Sequence, residues 1–177
     1  MTTLDSTKSS SAANSYVSTV DEANGYAATM KALAGLGVDT SGWDSVNDAI
    51  KTEALVLAAR SIDTIEYAGE KVTEEQSMEF PRVFMKKIVD EDEIPDAVKM
   101  AQVAEACALL SASATDPVAR AVSRGITSES AGGVSFTVGK GAKNSAADRG
   151  VSQPAFDILR KAGLIRPAAT SVYNGRG

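Results

Sequence analysis

A mainly α fold, a small helical bundle with one β-hairpin and extended termini, is what this sequence predicts, and three observations carry the prediction. Apolar residues recur at steps of three and four through the stretches around Ala23–Leu33, Ile50–Ile65 and Ala97–Leu110. Residues 124–138 instead read as strand-like arms around a Ser/Ala/Gly turn, with Ile126, Val134, Phe136 and Val138 as the apolar positions. The two ends have no period at all. The expected organisation is therefore a flexible segment over 1–14, a helical domain over 15–163 that includes a hairpin at about 120–139, and an extended C-terminal tail over 164–177. A chain of 177 residues fits one domain, burying roughly 70% of its unfolded surface.

The elements follow in order. Residues 1–14 are rich in Ser, Thr and Ala, with little to bury, and are expected to be mobile until something orders them. Ser15-Tyr16-Val17-Ser18 leads into Thr19 and Glu22, a capping-box pair that starts a helix with the apolar stripe Ala23, Tyr26, Ala27, Met30 and Leu33; Gly35 and Gly37 stop it. Trp43 falls in a loop ending at Ser45, the expected N-cap of a long second helix whose core face is Ile50, Ala54, Leu57, Ala58, Ile62 and Ile65. An acidic surface stretch runs on to Glu79. Phe80-Pro81-Arg82 then interrupts any helix, because proline restricts its predecessor and has no N–H to donate.

Pro95 suits the first position of a third helix to about Ser111, with the acids Asp90–Glu93 at its positive end. That helix is apolar on two faces, Met100, Val103, Cys107 and Leu110 on one and Ala97, Ala101, Ala104 and Ala108 on another. It should be buried on more than one side, either centrally or between the domain and a neighbour. After the hairpin, Lys140–Arg149 reads as a long Gly/Ala/polar loop, and Pro154 starts a short helix that Gly163 ends. An isolated hairpin is marginal in water, so this one lies on the helices, extends a sheet of another subunit, or does both.

Charge is divided along the chain. Residues 1–117 hold 20 acids and 9 bases, a balance of −11, while residues 118–177 hold 3 acids and 9 bases, a balance of +6. The two parts attract, within one chain, between copies, or through an acidic partner of the basic segment. No segment has the apolar length of a membrane span, and the N-terminus lacks a basic region followed by an apolar one. Cys107, the single cysteine, reads as a small core side chain compatible with a reducing cytoplasm.

The composition argues against catalysis. Without histidine the commonest general base and metal ligand is missing, and there is no nucleophile elbow, phosphate loop or paired-cysteine zinc pattern. Gly139-Lys140-Gly141-Ala142-Lys143 lacks phosphate-loop spacing. Four consecutive acids rarely converge on a metal by themselves. No catalytic residue, cofactor or metal is therefore expected. Nucleic-acid binding has a better basis in Arg120, Arg124, Lys140, Lys143, Arg149, Arg160, Lys161, Arg166 and Arg176, although that third holds only Phe136, Phe156 and Tyr173 as stacking rings.

An ordered set of pieces gives a resemblance: Ser15–Ser18 before Asp21-Glu22-Ala23 and Tyr26; Ala58–Asp63 with Tyr67-Ala68-Gly69; Gln76; Phe80-Pro81-Arg82; Ile94-Pro95 with Val98-Lys99 and Ala101; Glu105-Ala106; and Gly125-Ile126 with Ser128-Glu129-Ser130. Over about residues 15–160 the chain resembles the tailed-bacteriophage head-tail adaptors, also called connector or head-completion proteins, some of which are labelled similar to the primosomal single-strand-binding protein DnaT. It departs from the commoner pattern with Phe80 where Trp often precedes Pro-Arg, and with its long tail after Gly163.

The resemblance implies a non-enzymatic virion protein of the neck, assembled in the host cytoplasm. It would form a homo-oligomeric ring, typically of twelve copies, between the portal protein and a tail or neck protein, with genomic DNA passing through the channel without specific binding. The alternative it implies is a DnaT-like single-stranded DNA-binding protein. The expected interface residues are Arg124, Ile126, Glu129, Val134, Phe136 and Val138 in the hairpin and Leu164, Ile165, Arg166 and Tyr173 in the tail; the expected structural anchors are Tyr16, Tyr26, Trp43, Ile62, Phe80, Pro81, Arg82 and Pro95.

Overall fold

The structure, a computed structural model, describes residues 4, 14–84, 93–112, 128–131, 134–137 and 150–166. Its helices are α1 (Val20–Ala32), α2 (Ser41–Asp44), α3 (Asp48–Ile62), α4 (Asp96–Ala112) and α5 (Gln153–Lys161), with a 3-10 turn at Ala34–Leu36. Two antiparallel ribbons accompany them: β1 (Glu70–Lys71) with β2 (Arg82–Val83), and β3 (Ser128–Ala131) with β4 (Val134–Thr137). The mainly α class with a small hairpin is as the periodicities predict.

The α4 helix is the axis of the body. Helices α1, α2, α3 and α5 all pack against it, and residues 101–107 are buried without a break. Its two apolar faces are thus covered from within the domain. The abundance of alanine lets the neighbours approach closely, and α2 shows the limit: a Cβ on Gly42 would lie 2.8 Å from the backbone of Leu110. Trp43, expected in a loop, is instead carried into the core on this single helical turn, where it is 1% exposed.

Local chemistry sets the helix ends. At α1 the Thr19 hydroxyl accepts from the Glu22 N–H at 3.0 Å, and the Glu22 carboxylate accepts from the Ser18 N–H at 2.7 Å, a capping box displaced by one donor. Ala23, Ala27 and Met30 are buried, Tyr26 is half-buried, and Leu33 is exposed. The N-cap of α3 is Asn47, whose side chain accepts from the Ile50 N–H at 3.1 Å, and not Ser45, whose hydroxyl donates to the Gly42 carbonyl. Pro95 sits just before α4, its carbonyl accepting from the Val98 N–H. Ser152 stands at the N-terminal boundary of α5 without a side-chain cap bond, Pro154 lies in the first turn, and Gly163 ends the helix at φ 72°.

The face of α3 matches the expected one at Ala54, Ala58 and Ile62, with Ile65 beyond its end also buried, and departs from it at Ile50 and Leu57, which are 42% and 53% exposed. Thr52, Leu55, Val56 and Ala59 complete the buried side. Leu57 lies two residues beyond Leu55, about 200° around the helix, and so faces outward.

Gly69, at φ 74°, turns the chain into β1, and a Cβ there would come within 2.3 Å of the Val83 carbonyl oxygen, so only glycine fits. Just before it, residues 66–68 take on the C-terminal segment as an added strand: the Ala68 N–H donates to the Leu164 carbonyl at 2.8 Å, the Arg166 N–H donates to the Glu66 carbonyl at 3.0 Å, and Tyr67 pairs with Ile165. Leu164 is buried. The segment expected to leave the domain at residue 164 therefore begins inside it, because three residues of backbone pairing hold it there.

Candidate functional site

Two polar side chains of α4, one turn apart, reach into the core: Gln102 is 0% exposed and Glu105 is 3% exposed. Such groups are costly to bury unless their hydrogen bonds are made. The Gln102 carboxamide makes four. Its oxygen accepts from the Tyr16 and Val17 N–H groups, each at 3.0 Å, and its nitrogen donates to the Ser15 hydroxyl and the Leu55 carbonyl, each at 2.8 Å. One side chain thereby fastens a bent N-terminal strap to both α3 and α4. Glu105 does the corresponding work at the other end of the chain, accepting from the Ser152 N–H at 2.7 Å where α5 begins. Burial holds its carboxyl above the usual range, with the contact to Ser152 acting in the opposite direction.

A second knot forms around Tyr16. Its hydroxyl donates to Asp63 at the end of α3 and accepts from the Glu79 N–H at 3.2 Å, and its ring meets Phe80 edge-on. Phe80 also stands edge-on to Tyr67, 4.7 Å between centroids, and the Phe80–Pro81 peptide is cis. Arg82 lies beside the Tyr67 ring and donates to the Ala68 and Gly69 carbonyls at 2.9 and 2.6 Å and to the Glu79 carboxylate at 2.5 Å. Gln76 closes the loop by donating to the Met78 and Pro81 carbonyls. Burial pushes the Asp63 carboxyl up to about 6; the Tyr16 hydrogen bond opposes this, and the nearby Glu79 charge adds to it. Burial, with the adjacent Asp63, raises the Tyr16 phenol as well.

What this arrangement can do is hold backbone in place. The Cys107 thiol is buried, and burial pushes it up to about 12, out of nucleophilic range. Among the described residues no group of His, Cys, Asp and Glu could hold a metal ion, and no helix is long and apolar enough to cross a membrane.

Six cations of the described residues lie beside carboxylates, while Lys161 and Arg166 are exposed at the C-terminal end of the body. Lys31, Lys51, Lys71, Arg82, Lys99 and Arg160 each lie within 4.0 Å of a carboxylate: Asp44, Asp48, Glu79, Glu79, Glu22 and Asp157 respectively. Tyr16, Trp43, Tyr67, Phe80 and Phe156 are buried, and Tyr26 and Phe84 are half-buried. Lys51 also covers Trp43, whose indole N–H donates to Asn24.

Of the expected anchors, Tyr16, Trp43, Ile62 and Phe80 are in the core with Pro81; Arg82 and Pro95 are half-buried; and half-buried Tyr26 donates its hydroxyl to Asp96 at 2.8 Å. Of the expected interface residues, Leu164 and Ile165 are turned to the domain's own use, and Arg166 is exposed at its edge. Glu129, Val134 and Phe136 lie on the β3–β4 ribbon, on one face by register, because Glu129 pairs with Phe136 and Ala131 with Val134. Arg124, Ile126, Val138 and Tyr173 lie outside the described residues, as do all but Leu4 and Asn14 of the segment 1–14. Sequence reasoning missed Gln102, since a lone glutamine in an alanine-rich helix has no spacing signature. The one available signal was a polar residue flanked by apolar residues on both faces.

A family model described as "Putative DnaT-like ssDNA binding protein" matches residues 3–171. No curated protein and no solved structure matches the chain.

Proposed function

From the premise that the chain belongs to this DnaT-like family, we propose that it is a structural assembly protein, a head-tail adaptor whose copies form a ring between a portal and a tail or neck protein. The observation that carries the reading is the surface of the helical body. Six of its described cations already sit against carboxylates, and Tyr16, Trp43, Tyr67, Phe80 and Phe156 are buried, so these groups offer phosphates and bases little to hold. Such a body suits contact with other proteins and a DNA channel that must let its cargo slide. The ordered set of residues shared with head-tail adaptors supports the same reading, and the absence of histidine from the whole chain supports a non-enzymatic role in the virion neck. Electron microscopy of particles from the virus that encodes the chain, with the chain located by mass spectrometry, tests it. Density at the neck is the expected result, and absence of the chain from mature particles would remove the proposal.

A second reading, single-stranded DNA binding, is favoured by the family's own description and by the 9 bases of residues 118–177, against 3 acids. Titration of a labelled single strand across salt concentrations separates the two. The adaptor reading expects no shift at low salt; tight binding that weakens steeply with salt would install the second reading in its place.

A further inference from the structure

The N-terminal strap and the C-terminal segment at residues 164–166 are tied to the same loop of the body, and two routes join them there. The first is a run of hydrogen bonds. The Tyr16 hydroxyl accepts from the Glu79 N–H at 3.2 Å, the Glu79 carboxylate accepts from the Arg82 guanidinium at 2.5 Å, Arg82 Nε donates to the Ala68 carbonyl at 2.9 Å, and the Ala68 N–H donates to the Leu164 carbonyl at 2.8 Å. The second is a run of rings. Tyr16 stands edge-on to Phe80 and Phe80 to Tyr67, 6.0 and 4.7 Å between centroids, and the Tyr67 backbone pairs with Ile165. All three rings are buried. Among the described residues the segment's own further bonds are few: the Arg166 N–H reaches the Glu66 carbonyl and the Leu164 N–H reaches the Leu159 carbonyl. Backbone pairing this short is no firmer than the surface it lies on. That surface, Glu66–Ala68, is positioned by the Phe80 ring against Tyr67 and by the Arg82 fork on Ala68.

We propose that the strap and residues 164–166 form one coupled latch, joined through Glu79–Arg82 and Phe80–Tyr67, so that displacing either end loosens the other. The latch opens as a unit while α4 and the helices packed on it stay folded, which is the behaviour of a cooperative element less stable than the whole molecule. Its coupling is reciprocal by thermodynamic necessity: what the strap does to the segment, the segment does equally to the strap. The device depends on neither the adaptor reading nor the DNA-binding one, since every contact in it lies within a single chain.

Native-state amide exchange on the full-length protein, read residue by residue by NMR, tests it. The hydrogen-bonded amides of Tyr16, Val17, Ala68 and Arg166 should open with one common equilibrium constant, larger than that of Val103 and Ala104 in the middle of α4. Tyr16→Phe keeps the ring and removes only the hydroxyl that meets Asp63 and Glu79; it should speed exchange at Ala68 and Arg166 at least fivefold, the low end of ordinary coupling between sites. Arg166→Pro works from the other end at an exposed position, removing the N–H that reaches Glu66, and should speed exchange at Tyr16 and Val17 by a similar factor. It also carries the test should Tyr16→Phe fail to fold. Exchange at Ala68 and Arg166 that ignores Tyr16→Phe, or at Tyr16 and Val17 that ignores Arg166→Pro, overturns the proposal by making the ends independent. Protection of all four amides equal to that of Val103 and Ala104 overturns it too, because both ends would then open only with the whole body.

Discussion

Ser15–Val17 and the β3–β4 ribbon are both short segments outside the helices, and they differ in where their backbone hydrogen bonds go. The strap's N–H groups end on one buried carboxamide from α4, 86 and 85 residues away in sequence. The ribbon's inner groups end on its own second strand. Non-helical backbone can be built into a helical body when a single side chain supplies the acceptor that a neighbouring strand would otherwise give.

Breaking the strap should have the largest effect. Gln102→Leu keeps the volume but orphans the Tyr16 and Val17 N–H groups, each worth about 1–3 kcal/mol when buried unpaired, so denaturant unfolding should show a loss of roughly 2–5 kcal/mol. A loss below about 1 kcal/mol would mean that the strap is held by its side chains alone. Next comes the knot beside it. Arg82→Lys removes the fork that serves the Ala68 and Gly69 carbonyls and the Glu79 carboxylate together, with an expected cost of about 2 kcal/mol in the same measurement.

The strap also carries a pH dependence. The Asp63 carboxyl that receives the Tyr16 hydroxyl is held at about 6 by burial, above its unfolded value of about 3.9, so the folded state binds the proton more tightly. Its contribution is complete below about pH 4 and is lost as pH rises to about 6, on the order of 2 kcal/mol across that window. Glu105, raised by burial, acts with the same sign. Asp63→Asn should flatten the stability profile between pH 4 and pH 6; an unaltered slope would assign it to other groups. The smallest effect is expected at the ribbon. Replacing residues 126–138 with a short Gly/Ser linker should change the stability of the helical body by less than about 0.5 kcal/mol, as for surface changes generally. A large stability loss would show the ribbon to be part of its own body.

The sequence made the periodic and capped elements legible: the start of α1 at Thr19 and Glu22, the doubly apolar α4, and α5 between Pro154 and Gly163 each follow from residues within one or two turns. The face of α3 was legible at Ala54, Ala58 and Ile62 but not at its edge, because Ile50 and Leu57 satisfy the helical spacing as well as Leu55 does, and burial falls on Leu55. Leu164–Arg166 was missed for a related reason: three paired residues create no period, and their partners lie near Tyr67. At the candidate site the anchors Tyr16, Phe80 and Arg82 were legible as a set, while Gln102 emerged only once the chain was folded around it.

Gln102 has one more consequence, for the order in which the molecule completes itself. The strap leaves the ribosome first but has no seat until α4 has followed it out, and Glu105 in turn waits for Ser152, 47 residues later. Contacts so distant along the chain form late and slowly. A chain cut before Gln102 leaves the strap's N–H groups without their acceptor, and one cut before Ser152 leaves the buried Glu105 carboxylate without its donor.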